Sequence, residues 1–302
     1  MNALLDFVVA SLHSAFVLRD AMTAPAVFWP TVLGVSFLAA GILTYKRDLL
    51  TPTSRGVFRL AALGPTFIAA SLAAFAGEHF TAAKGLAELV PRWMPVRVFI
   101  AYFVGVAHLA AALSLVARRC IRWSTTFLAI MFGLFVLLLH LPNAIAHAAT
   151  RIYWIFPVRE TTFAMGALAL FGTEVRNEWP QSSNRIAAVA RVWTALAIIY
   201  FGIENIFYPQ FSPGVPDQKP TATWVPLPHV IAYLTGILLL GFGIAMLVKK
   251  YASSASTSAG LLMVLLTLGL YVPDYFLARS ASQQVTAINF VADTLLFAGT
   301  LF

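Results

Sequence analysis

The chain has 302 residues, 60% of them hydrophobic and only 11% charged, with a mean hydropathy of +0.82. Soluble domains carry about 25% charged residues, so a water-soluble enzyme is excluded, and the long apolar runs rich in aromatics exclude disorder. The net charge of +8 comes from short Lys/Arg clusters between apolar runs, which is the pattern of membrane orientation rather than of phosphate recognition, so nucleic acid is not an expected partner. The lone Cys120 excludes an intrachain disulfide, a CxxC redox pair and a thiolate metal site.

Residues 3–18 read as an amphipathic or interfacial helix, because Asp6 interrupts the apolar stretch and no basic segment precedes it as in a signal peptide. Spans of roughly 20 residues follow. The first is 26–45, closed by Lys46, Arg47 and Asp48, and then come 58–79, 95–117, 122–143 and 158–173. A polar stretch from Glu174 to Arg185 separates these from 187–208, 226–248, 258–277 and 286–302, the last of which is expected to be short. That makes about nine membrane helices in an all-α polytopic bundle. Pro65 and Pro142 are expected to kink their helices.

Charge sets the expected orientation. With the link after the first span in the cytoplasm, that side holds Lys46, Arg47, Arg55, Arg59, Arg118, Arg119, Arg122, Arg176, Arg185, Arg191, Lys249 and Lys250, more than half of the 20 basic residues. The acids Asp48, Glu174 and Glu178 fall inside; the others, Asp6 and Asp20 among them, fall outside or in outer helix halves. The N-terminus is expected outside and the C-terminus inside, in the cell membrane (the inner membrane if the source is bacterial).

The chain also repeats itself. Trp93-Met94-Pro95 returns as Trp224-Val225-Pro226, Tyr102…Gly105 as Tyr233…Gly236, and His140-Leu141-Pro142-Asn143 as Tyr271-Val272-Pro273-Asp274, all at an offset of 131 residues. Phe75 to His79 returns as Phe201 to Asn205 at an offset of 126, and the five extra residues fall in the longer second loop, Tyr208 to Thr223. The expected domains are 1–50, an interfacial helix and first span; 51–175, a first four-helix unit; and 176–302, a second. Even-numbered units face the same way, so this is a parallel repeat. Ala61, Ala62, Gly64, Ala69, Ala70, Ala73, Ala74 and Gly77 form a small-residue seam for close helix approach.

The motifs Gly77-Glu78-His79-Phe80, Val90-Pro91-Arg92-Trp93-Met94-Pro95 and Ala101-Tyr102-Phe103-Val104-Gly105-Val106-Ala107-His108 resemble the DoxX-like family of small four-helix membrane proteins. The second copy carries a shorter version in Trp224-Val225-Pro226 and Tyr233-Leu234-Thr235-Gly236. The resemblance covers about 58–302 and departs from the family in being doubled behind an extra span. It implies four-helix units and a partnership with quinone-linked or other redox systems, without a defined reaction.

Ionisable groups inside spans are costly, and each is a functional candidate. In the first unit Glu78 and His79, then His140 and Asn143, then Arg159 and Glu160 share one level near the outer face, with His147 and Arg151 in the adjoining loop. The second unit offers Glu204 and Asn205, Tyr271 and Asp274, and Asn289 and Asp293. The acid recurs, whereas His79 becomes Asn205 and His140 becomes Tyr271. Two readings stand side by side. In one, Glu78 and Glu204 each anchor a hydrogen-bonded knot to a Trp, Tyr or Arg of a neighbouring loop. In the other, Glu78, His79 and His140 hold the head of a quinone-like or isoprenoid lipid whose tail lies among the apolar helices.

His108 reads as a packing group toward the inner half. Haem through His79 and His140 is disfavoured, and no metal site is expected, because no tight spacing supports one. Trp93, Trp154, Trp224 and Trp123 read as interface anchors. An accessory or binding subunit for such a lipid or for a membrane or redox partner protein comes first. A structural or assembly bundle is the alternative, with a membrane-embedded enzyme or a transporter behind it.

Overall fold

The structure, a computed structural model, describes residues 24–50 and 56–302. The expected interfacial helix, with Asp6 and Asp20, and Arg55 in the first link lie outside the described residues.

Long helices follow one another through short links. Helix α1 is Pro25–Leu50; a 3-10 stretch, Gly56–Leu63, leads into α2, Gly64–Thr81. A single turn, α3 (Ala83–Leu86), precedes α4 (Arg97–Ala117). Helix α5 (Ile121–Phe135) continues through a π turn, Val136–His140, into α6 (Leu141–Ala146). Then come α7 (Ile152–Glu174), α8 (Pro180–Phe207) and α9 (Pro228–Leu247). Helix α10 (Ala252–Leu266) passes through a second π turn, Thr267–Tyr271, into α11 (Val272–Leu277), and α12 is Ala281–Leu301.

Eight of these helical runs are long and apolar enough to cross a membrane: α1, α2 with the turn before it, α4, α5–α6, α8, α9, α10–α11 and α12. Helix α7 has 23 residues, about 35 Å at 1.5 Å per residue, and stands among them. What sets it apart is Arg159 and Glu160 near its start. The protein is thus an all-α polytopic membrane helix bundle.

One expectation about the spans needs correction. The last helix is not short: it begins at Ala281 and runs for 21 residues. Pro65 sits where the 3-10 turn of its span passes into α2. Pro142 follows directly on the π turn of its span, the kind of local distortion at which helices bend. The prolines inside helices are Pro30 and Pro157.

Helix neighbours follow chain order, α2 to α4 to α5 to α7 to α8 to α9 to α10 to α12, and α12 closes back onto α2 and α7. In lipid there is no hydrophobic gain in bringing two helices together, so close backbone packing must supply the attraction. Small residues provide it. Ala69, Ala70, Ala73, Ala74, Ala76 and Gly77 are buried on α2, between α1, α4 and α12. A Cβ at Gly77 would lie 2.7 Å from the Pro30 backbone, and one at Gly202 would lie 2.7 Å from the Gly236 carbonyl oxygen.

The two halves share backbone detail at fixed offsets. The run α5–π–α6 has the same three lengths as α10–π–α11, 131 residues later. Val96 and Leu227, also 131 apart, both adopt the left-handed region immediately before α4 and α9, at φ 49 and 47. Such φ values are uncommon for residues other than Gly. Helices α2 and α8 end 126 residues apart, each with the next N–H donating to a glutamate carbonyl, Glu78 or Glu204.

Ion pairs mark the two ends of the bundle. Arg118–Asp48 at 2.6 Å and Arg122–Glu178 at 3.0 Å tie one end. Arg151–Glu204, Arg159–Asp293 at 2.8 Å and Lys219–Asp274 at 2.8 Å lie at the other.

Candidate functional site: a polar cavity at one end of the bundle

A cavity of about 400 Å³ opens at the second of these ends, where α2, α4, α5, α7 and α12 converge beneath the segment between α8 and α9. Its polar wall is Glu78, His79, His108, Arg159, Glu160, Asp217, Asn289 and Asp293; Phe75, Phe132, Phe135, Phe163 and Phe290 supply the apolar part. A separate groove of about 180 Å³ between α1, α2, α11 and α12 is almost wholly apolar and is lined by no Asp, Glu, His, Lys or Arg.

The last turn of α2 carries Glu78 and His79 toward α4, and Gly105 lets α4 come close there, since a Cβ on it would lie 2.7 Å from the His79 Cβ. The His79 Nδ1 is 2.8 Å from the Ala101 carbonyl oxygen. A carbonyl only accepts, so Nδ1 carries the proton and the neutral ring keeps a lone pair on Nε2. One helical turn beyond Gly105, the His108 ring stands edge-on to His79 with centroids 5.5 Å apart. His108 is 4% exposed and neither of its ring nitrogens has a hydrogen-bond partner. Glu78 also has a buried, unpartnered carboxylate oxygen, Oε1.

Across the cavity, Arg159 donates from Nη1 to Asp293 at 2.8 Å and from Nη2 to Glu160 at 3.5 Å, while its Nε is unpartnered. The guanidinium also lies 5.0 Å from the Phe156 ring centre. The bond to Asp293 joins α7 of the first half to α12 of the second. Four carboxylates therefore line the space with a single guanidinium.

The corresponding place in the second half is full. Ser212, Pro213, Gly214, Val215 and Pro216 are all buried. The Asn205 amide donates to the Gly214 carbonyl at 2.9 Å and accepts from the Gly214 N–H at 2.9 Å, while the Tyr271 hydroxyl donates to the Pro213 carbonyl. Gly214 has φ 105, and a Cβ there would lie 2.9 Å from Leu266 and 3.9 Å from the Met263 sulfur. Met263, Leu266 and Tyr271 stand 131 residues after Phe132, Phe135 and His140, and Asn205 stands 126 after His79. Phe132, Phe135 and His79 line the open cavity. The segment is further fixed by Asp274, which accepts from Lys219 at 2.8 Å and from Trp224 Nε1 at 2.7 Å. Glu204 pairs with Arg151, whose Nη2 also donates to the Asp217 carbonyl at 2.8 Å.

The structure thus divides the expected site residues. Glu78, His79, Glu160, Asn289 and Asp293 meet in one cavity, which spans both halves rather than one per unit. His140 is not on its wall; it stacks on Phe156 with ring centres 5.6 Å apart. Asn143 is exposed, and its carbonyl accepts from the N–H and the Nδ1 of His147. Glu204, Asn205, Tyr271 and Asp274 face the inserted segment instead of a cavity. The reading of His108 as a satisfied packing group is corrected by its two unpartnered nitrogens. Its place was readable: Ala101, Val104, Gly105, His108 and Ala112 form one buried stripe at helical spacing. Arg159, expected at this level, is a wall residue; Asp217 was missed, and no local signal marks it. Among the described residues, no three His, Cys, Asp or Glu side chains stand together as a metal site. Compared with known proteins, the chain matches no family model, no curated sequence and no solved structure.

Proposed function

We propose that the protein is a membrane-embedded binding subunit of DoxX-like type that takes the polar head of a quinone-like or isoprenoid lipid into the Glu78–His108 cavity. In this reading the chain is two tandem four-helix units, 51–175 and 176–302, behind an N-terminal segment, 1–50. Its N-terminus lies outside, so the cavity opens toward the outer leaflet. The shared backbone offsets, the matching π turns above all, support the tandem arrangement. The excess of Lys and Arg at the other end supports the orientation.

The observation that carries the binding reading is the contrast between two glutamates at the same place in the two halves. Glu204 is paired with Arg151; Glu78 lines a cavity with a buried oxygen that nothing in the protein satisfies. Leaving a polar group unsatisfied at membrane depth costs several kcal/mol, and a ligand that hydrogen-bonds to it offsets that cost. Phenylalanines beside the polar wall suit a ring or an alkyl tail. The protein purified in mild detergent is expected to carry a polar-headed, lipid-soluble molecule, detected by organic extraction and mass spectrometry, and Glu78→Gln is expected to lose it. Equal retention by Glu78→Gln, or a wild-type extract holding only bulk phospholipid, would remove the binding function and leave an assembly bundle.

A further inference from the structure

The cavity wall also says which kind of head group fits. Four side chains on its wall offer hydrogen-bonding atoms that no other residue uses up, and they are of both kinds. Glu78 Oε1, when the carboxyl is ionised, and His79 Nε2, by the tautomer its Ala101 bond imposes, accept. Arg159 Nε–H donates, and a neutral His108 offers one donor and one acceptor. Neither ring nitrogen of His108 is used although the residue is 4% exposed, so the orphaned atoms are not ones that water at the surface would serve.

A carbonyl or ether head can accept from Arg159 or His108 but gives the His79 Nε2 lone pair no donor. An ammonium can donate to Glu78 and His79 but cannot accept, so it leaves the Arg159 Nε–H unserved. A hydroxyl does both. Resting on the binding function above, we propose that the cavity selects a hydroxyl-bearing head group, so that it holds a phenol, a hydroquinone or an alcohol in preference to the matching carbonyl compound. The site would then discriminate between two oxidation levels of one molecule with the same ring and tail, a distinction that an apolar pocket alone does not make. Sites built around hydrogen bonds to a hydroxyl reject analogues without it far more strongly than apolar pockets distinguish sizes, because buried groups are left unpaired.

The test uses the full chain in lipid nanodiscs and three probes with one tail length: an alkyl hydroquinone kept reduced under anaerobic conditions, the corresponding quinone, and an alkylamine. The hydroquinone is expected to bind at least about tenfold more tightly than the quinone, and the amine to bind weakest. Glu78→Gln, whose amide both donates and accepts, is expected to reduce that ratio toward one by weakening hydroquinone and not quinone. Quinone binding as tightly as hydroquinone overturns the hydroxyl preference while leaving the binding function intact, and preference for the amine makes the cavity a cation site instead. Failure of all three probes to bind, in a chain that remains folded, removes both the preference and the binding function it rests on.

Discussion

At the scale of single residues, Glu78 and Glu204 make the asymmetry testable. The Arg151–Glu204 pair is largely withdrawn from solvent, with side chains 16% and 9% exposed. Removing one partner of a buried pair leaves an uncompensated charge, at a cost of about 3 kcal/mol. Glu204→Gln is therefore expected to lower thermal stability clearly in detergent unfolding, whereas Glu78→Gln breaks no ion pair and is expected to cost less. Equal destabilisation by both would mean that Glu78 too serves a structural knot. Tyr271→Phe, which loses only the donor to the Pro213 carbonyl, is expected to cost about 1–2 kcal/mol by the same unfolding measurement, since a buried carbonyl is left unmade. Glu78 and Glu204 could be singled out from their recurrence; their different surroundings could not. That difference depends on Arg151, a loop residue 53 positions from Glu204, which no periodicity connects to it.

At the scale of elements, the close crossings explain why glycine stands where it does. A Cβ at Gly202 or Gly236 would meet backbone of the facing helix at 2.7 or 2.8 Å, whereas Gly133 and Gly241 have nothing within 4 Å. Gly202→Ala and Gly236→Ala are expected to destabilise by about 1–3 kcal/mol, as overpacking does. Gly133→Ala and Gly241→Ala are expected to be neutral or slightly stabilising, because alanine is the better helix former. Thermal unfolding of the four variants distinguishes these outcomes, and no difference between the pairs would contradict the crossing geometry. Apolar run length located the long helices within a few residues, because burial of the backbone in lipid demands continuous helix. It could not reveal the two π turns, whose extra residue leaves hydropathy unchanged. Nor could it show that Ser212–Pro216, a polar and proline-rich stretch, goes inside the bundle. Its burial rests on the amide of Asn205 and the hydroxyl of Tyr271, supplied by distant helices.

At the scale of the whole molecule, the central feature is one cavity assembled from both halves. Closure of α12 onto α2 and α7 brings Asn289 and Asp293 opposite Glu78 and His79, and the Arg159–Asp293 bond fastens that closure. The membrane class and the helical architecture followed from composition alone. The shared cavity did not, because sequence offsets relate each helix to its counterpart and say nothing of which helices touch across the pair. In the second half the place related by the sequence offsets is filled by Ser212–Pro216. The account is tested most directly by native mass spectrometry of the intact protein released from nanodiscs, comparing wild type, Glu78→Gln and Glu204→Gln. It predicts one bound lipid-soluble molecule per chain, absent from Glu78→Gln and retained by Glu204→Gln. Two molecules per chain, none, or loss from Glu204→Gln alone would contradict it.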